Sequence, residues 1–160
     1  RFTQPVALDF GAIGKGWALD RAARVLREHG VTRALLHGGT SSVVTLGGPW
    51  RVALDDRAAV DLTDASLGVS APAGRTIGRG ADVRGHILDP RTGRSATTLG
   101  AAVSGPSAAV CDAWSTALVV DPCLAADTAF PTGYRAHVNA GSGFICPTHP
   151  NPISARRTCR

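Results

Sequence analysis

The chain has 160 residues, 44% hydrophobic and 5% aromatic, and its 17 basic and 12 acidic side chains give a formal net charge of +5. That length buries one core and favours a single domain, while no apolar run approaches the roughly 20 residues of a membrane-spanning helix and no signal peptide is visible. The positive charge suits an anionic ligand, but the arginines are scattered and the aromatics form no stacking platform, which argues against a nucleic acid partner.

Residues 6–9 read as a short apolar strand running into a glycine-rich turn. Trp17, Ala18, Ala22, Val25 and Leu26 then recur at helical spacing, with Arg21, Arg24, Arg27 and Glu28 outward and Gly30 placed as the C-cap. Residues 31–36 read as a buried strand, so the start of the chain predicts a β-α-β unit. After Gly38-Gly39-Thr40-Ser41-Ser42, segments 43–46 and 50–54 flank Gly47-Gly48-Pro49 and predict a hairpin. Residues 55–85 read as loop-dominated, with short strands near 60–62 and 67–70. A short strand over 85–89 ends in the turn Pro90-Arg91-Thr92-Gly93, where proline supplies a fixed and glycine a permissive backbone position. A strand over 101–104 leads through Gly105-Pro106 into a helix over 107–119, and 134–139 reads as the last strand. Residues 146–160, with Pro147, Pro150, Pro152, Arg156, Arg157 and Arg160, read as a poorly ordered basic tail. Cys111, Cys123, Cys146 and Cys159 form no Cys-x-x-Cys pair, which argues against zinc ribbons and thioredoxin-type sites and leaves a disulfide among the last three open.

Three segments carry chemistry. In Asp9-Phe10-Gly11-Ala12-Ile13-Gly14-Lys15-Gly16 stands the chain's one lysine against 16 arginines. A compact ammonium among glycines ahead of a helix suits a phosphate or another anion; the alternative is an ordinary strand-to-helix turn with a solvated lysine. In Gly85-His86-Ile87-Leu88-Asp89-Pro90-Arg91-Thr92-Gly93 an imidazole, a carboxylate and a guanidinium surround one turn, the alternative being a plain surface turn. In Cys111-Asp112-Ala113-Trp114-Ser115-Thr116-Ala117, Asp112 and Thr116 are four apart on a predicted helix and share a face. A carboxylate and a hydroxyl amid apolar neighbours suit a hard cation such as magnesium, or make a local hydrogen bond.

In this order the three segments resemble the ApbE family, the FAD:protein FMN transferases, formerly described as thiamine biosynthesis lipoproteins. The family pattern runs roughly Asp-Leu-Gly-Gly-Ile-Ala-Lys-Gly-Tyr-Ala-x-Asp, Gly-Gly, His-Ile-x-Asp-Pro-Arg-Thr-Gly and Ala-Asp-Ala-x-x-Thr-Ala. The matching positions here are 9–20, Gly38-Gly39, 86–93 and 112–117. Departures are Thr40-Ser41-Ser42 after Gly-Gly, where many members carry an acidic or amide residue, and Ser70-Ala71-Pro72 in place of Thr-Ser-Gly.

The resemblance implies an α+β fold, a mixed and largely antiparallel sheet packed with helices, with residues 1–145 as its C-terminal half. It implies magnesium-dependent transfer of the FMN moiety of FAD to a Ser/Thr hydroxyl of an acceptor protein, releasing AMP. Magnesium would be held by the side chains of Asp112 and Thr116 and the carbonyl of Ala12. FAD would lie against Asp9, Lys15, His86 and Leu88. His86 would handle the proton or steady the phosphate, whereas Asp89 and Arg91 would fix the turn; Lys15 would contact the ligand or, instead, pair with Asp9 or Asp20. The rivals are an FAD pyrophosphatase with water as acceptor and a non-catalytic flavin-binding remnant. The chain has no methionine, so Arg1 is read as following a removed or uncaptured segment, and membrane association is expected only through such a segment. The family's habit points to the bacterial periplasm or cell membrane and leaves the cytoplasm open.

Overall fold

The computed structural model describes residues 2–72, 76–78, 83–139, 141 and 143–145. An extended, exposed lead segment enters helix α1 (Gly14–Glu28) through a turn in which the Ile13 and Gly14 N–H groups donate to the Phe10 carbonyl at 3.0 and 2.7 Å. The helix is amphipathic, but its buried side is not the one marked by Trp17 and Val25, which are 60% and 48% exposed. Gly16 and Ala23 are buried, and Leu19 and Leu26 pack beside Ala23. Gly16 sets this rotation: a Cβ there would collide with the Ala108 carbonyl of the second helix. Gly30, at φ +78°, closes α1, its N–H and that of Val31 returning to the Arg27 and Leu26 carbonyls.

Strands β1 (Ala34–His37), β2 (Ser42–Leu46), β3 (Trp50–Ala53), β4 (Ala59–Leu62), β5 (Ser66–Ser70), β6 (Thr76–Ile77), β7 (Arg84–Gly85) and β8 (Gly100–Gly105) follow. Helix α2 (Ala108–Val120), a 3-10 helix (Pro122–Ala126), β9 (Arg135–Asn139) and β10 (Phe144–Ile145) come next. The main sheet has the order β1-β2-β5-β8-β9-β10, and all its neighbours are antiparallel. The predicted α+β class and largely antiparallel sheet are therefore observed.

Alternation along the strands divides the sheet into two faces. Ala101, Val103 and Ala136 pack with Cys111, Leu118 and Val119 of α2, and Val44 and Leu46 pack with α1. On the opposite face Leu67 and Ala102 are covered by Val52, Leu54, Val60 and Leu62 of the β3–β4 ribbon. Small residues on the central strand let α2 approach: a Cβ at Gly68 would stand 2.6 Å from the Asp112 nitrogen.

Local expectations are corrected in several places. Residues 6–9 form no strand, and there is no β-α-β unit; Val6 and Leu8 are exposed, and among the described residues no strand lies beside them to take up their N–H and C=O groups. The segments 43–46 and 50–54 do not pair with each other. At Gly47 (φ +59°) and Gly48 the backbone is pressed against the carbonyls of Thr32 and Leu62, and β3 leaves to pair with β4. Within 55–85 the short strands expected near 60–62 and 67–70 are present as β4 and β5, and β5 is a central strand of the main sheet rather than part of a loop-dominated stretch. Of the strand expected over 85–89, Gly85 alone belongs to a strand, β7, and Leu88 makes an isolated bridge to Ser95.

No described helix is long and apolar enough to cross a membrane. Cys111 is a buried free thiol and Cys123 is disulfide-bonded. Cys146, Cys159 and the tail expected over 146–160 lie outside the described residues.

Candidate functional site

The glycine turn before α1, the loop after β1, the end of β5, the turn after β7 and the middle of α2 meet around an open pocket of about 640 Å³. All seven residues expected at the site line it: Asp9, Ala12, Lys15, His86, Leu88, Asp112 and Thr116. Its volume falls within the roughly 300–1,000 Å³ usual for small-molecule sites.

Asp112 is the buried carboxylate of this pocket, 4% exposed. Its Oδ1 accepts from the Ser42 hydroxyl at 2.8 Å and its Oδ2 from the Gly16 N–H at 2.7 Å. Burial pushes its pKa above the usual carboxylate value, opposed by those two hydrogen bonds and by the charge of Lys15. Gly16 is the third residue of α1, in the first turn, where N–H groups find no acceptor within the helix, and Asp112 takes that bond. The Ala12 carbonyl, ahead of the N-cap Ile13, has no hydrogen-bond partner among the described residues. Ala12 and the fixed Asp112 carboxylate both line the pocket.

Thr116 lies one turn along α2. Its hydroxyl donates to the Asp112 carbonyl at 3.1 Å and meets the Ser70 hydroxyl at 3.0 Å, which also meets Ser115 at 2.8 Å. Ala12, Asp112 and Thr116 offer only hard oxygen donors, a set that fits magnesium, an ion that keeps several waters and binds through few protein oxygens plus substrate phosphate. Among the described residues no cluster of three or more His, Cys, Asp or Glu side chains suits a metal, so phosphate and water oxygens would complete such a coordination sphere.

Lys15 is exposed at the pocket and makes no ion pair among the described residues; the alternative pairing with Asp9 or Asp20 is not made. Asp9 shapes the turn, its Oδ1 accepting the Gly11 N–H at 2.6 Å. Asp20 caps α2 instead, accepting from the Ser107 hydroxyl at 2.8 Å and from the Ala108 and Ala109 N–H groups at 2.9 and 3.0 Å. His86 is half-buried on the pocket wall and Leu88 is exposed beside it. Asp89 and Arg91 fix the turn, as expected. Arg91 donates from Nε at 3.0 Å and from its own N–H at 2.9 Å to Asp89 Oδ1, and its guanidinium reaches Asp121 at 3.4 Å. These bonds hold the Asp89 carboxyl below its ordinary range, the Arg91 side chain contributing most.

Sequence reading missed Ser42, Ser70 and Asp20. The signal for both serines was a polar residue at the end of a strand; for Asp20 it was an acid near the start of an arginine-rich helix whose other acid, Glu28, lies at its end.

The ApbE family model matches residues 1–129. The chain belongs to the ApbE family. The FAD:protein FMN transferase of Escherichia coli (strain K12) is 29% identical over 127 residues, covering 71% of this chain and 36% of that protein. The FAD:protein FMN transferase of Rhodobacter capsulatus is 36% identical over 138 residues, 79% of this chain and 25% of that protein. The crystal structure of the ApbE protein from Thermotoga maritima superposes with a TM-score of 0.70 at 26% identity, covering 83% of this chain and 48% of that one. The flavinyl transferase ApbE of Pseudomonas stutzeri, in its apo form, gives 0.66 at 25% identity, covering 87% and 48%. This ApbE-family chain therefore spans a quarter to a half of the length of these relatives.

Proposed function

We propose that this pocket binds FAD and magnesium and transfers the FMN moiety to a Ser or Thr hydroxyl of an acceptor protein, with release of AMP. The observation that carries the reading is one pocket lined by Ala12, whose carbonyl takes no hydrogen bond among the described residues, by Asp112, fixed by Gly16 and Ser42, by Thr116, and by Lys15, which makes no ion pair among the described residues. The names of the relatives, FAD:protein FMN transferase, support the same chemistry.

In the reaction the acceptor oxygen bonds to the FMN phosphorus, the bond from that phosphorus to the bridging oxygen breaks, and AMP leaves carrying that oxygen. The Ala12 carbonyl, Asp112 and Thr116 would hold magnesium, which when bound would neutralise charge on the pyrophosphate oxygens. Lys15 places a second positive charge beside the same phosphates. Its stem arises from the first turn of α1, so the ammonium adjusts to the ligand without breaking an ion pair. His86 takes the hydroxyl proton, and the Asp89–Arg91 pair keeps its turn in place. Leu88 gives the flavin an apolar edge.

The test incubates the chain with FAD and magnesium, with and without a threonine-containing acceptor, and measures AMP, free FMN and acceptor mass. AMP together with an acceptor heavier by one FMN, both lost in Asp112→Ala, is the expected result. AMP with only free FMN assigns the site to hydrolysis, with water as acceptor. No AMP from either chain refutes a catalytic role for the chain as given.

A further inference from the structure

We propose that Ser42 and Ser70 are positioning residues that aim the two metal-binding side chains of α2, an inference that rests on the reading of Asp112 and Thr116 as magnesium ligands. Ser42 is fully buried on β2 and does not line the pocket, so it does not touch substrate. Its hydroxyl reaches Asp112 Oδ1 at 2.8 Å, while the Gly16 N–H holds Oδ2 at 2.7 Å from the opposite side. The carboxylate plane is therefore pinned between β2 and α1. Each oxygen keeps a lone pair beyond the one already used.

The second half of the device follows from counting protons. Ser70, Ser115 and Thr116 own three hydroxyl protons, yet four short contacts join them and the Asp112 carbonyl. With the Thr116 proton on that carbonyl, a hydrogen bond in the Ser70–Thr116 contact is donated by Ser70, Ser115 giving its own proton to Ser70, and it fixes one of the two Thr116 lone pairs. The other lone pair is left for a cation. Ser42 is in register with Gly68, two residues before Ser70, so both serines rise from adjacent strands onto the same face of the sheet, under α2. Hydroxyls that only satisfied buried polar groups would set stability; hydroxyls that aim ligands also set which ion binds.

Magnesium demands near-octahedral geometry at about 2.0–2.1 Å, whereas calcium accepts loose spheres of 6–8 oxygens. Magnesium and calcium are each titrated alone into the full 160-residue chain by calorimetry. Wild type is compared with Ser42→Ala, Ser70→Ala, Ser70→Thr and Asp112→Asn, and the metal-free melting temperature of each is recorded. The expected result is a loss of about 10–100-fold in magnesium affinity for the two alanine variants. Calcium affinity falls less, so the preference for magnesium narrows, and Ser70→Thr restores it. If Ser42→Ala does not fold, Ser70→Ala carries the same comparison from a half-buried position. Wild-type affinity and preference in the alanine variants, or equal losses for both ions, overturn the positioning role while Asp112→Asn still shows the metal site. A wild-type chain that binds no magnesium overturns the metal reading, and this proposal with it.

Discussion

Replacing Asp20 by alanine removes the carboxylate that closes the N-terminus of α2, the helix carrying Asp112 and Thr116. Three donors lose their acceptor: the Ser107 hydroxyl at 2.8 Å, the Ala108 N–H at 2.9 Å and the Ala109 N–H at 3.0 Å. Ala108 is fully buried, so water cannot replace the lost partner. A buried donor left unsatisfied costs about 1–3 kcal/mol. Removing a negative charge from a helix N-terminus costs about 0.3–1 kcal/mol more. The Ser107 oxygen still accepts the Val110 N–H at 3.4 Å, and the half-buried Ser107 hydroxyl proton and Ala109 N–H are partly recovered by water. The loss is then about 2–4 kcal/mol, a large share of the roughly 5–15 kcal/mol typical of a domain. At about 2–4 °C per kcal/mol for chains of this size, the melting temperature falls by roughly 4–16 °C. Asp20→Asn keeps one acceptor oxygen and should lose about half as much. Urea unfolding read by circular dichroism gives the midpoint and slope for all three chains. An Asp20→Ala midpoint within about 0.5 kcal/mol of wild type at unchanged slope would refute the capping role.

Other expected outcomes are independent of that cap. Lys15→Ala leaves stability unchanged, because no ion pair is lost, but weakens FAD binding about 10–100-fold, the worth of a hydrogen bond to a charged group; flavin fluorescence titration beside a thermal melt separates the two effects. Gly16→Ala forces α1 away from the Ala108 carbonyl and should cost about 1–3 kcal/mol in urea unfolding, while drawing the Gly16 N–H off Asp112. Burial pushes the Cys111 thiol up to about 12, so Cys111 should resist alkylation at pH 8 in the folded chain and react in urea, as read by peptide mass mapping. His137 is held below the ordinary histidine value, chiefly by burial and then by Arg135, and its Nε2 lacks a partner among the described residues. Below about pH 6.5 the unfolded chain binds a proton that the folded chain does not, so stability present above that pH is lost as pH falls. The drop between pH 7.5 and 5.5 should shrink in His137→Gln; an equal drop would assign the acid sensitivity elsewhere.

Helix ends were legible because local forces decide them. Ser107 begins α2 as an N-cap and Gly30 ends α1 at positive φ, because caps depend on neighbours in sequence. Sheet order depends on distant pairing and was not legible. The strand expected near 67–70 is β5, but its place between β2 and β8 was not legible, because its helix-facing residues Ser66, Gly68 and Ser70 are small where α2 comes so close. The seven residues that line the candidate site were legible as motifs, since each motif keeps its chemistry within a few positions. The partners that hold them were not. Ser42 and Asp112 are 70 residues apart and Gly16 and Asp112 are 96 apart, so only the folded sheet and the α1–α2 crossing bring them together.

The most direct test is a crystal of this chain grown with FAD and manganese, with anomalous maps locating the ion. The account predicts a single strong peak within coordination distance of the Ala12 carbonyl, the Asp112 carboxylate and the Thr116 hydroxyl, with the FAD pyrophosphate on it and Lys15 turned toward the same phosphates. A manganese peak away from these three oxygens, or FAD bound outside this pocket, would contradict it.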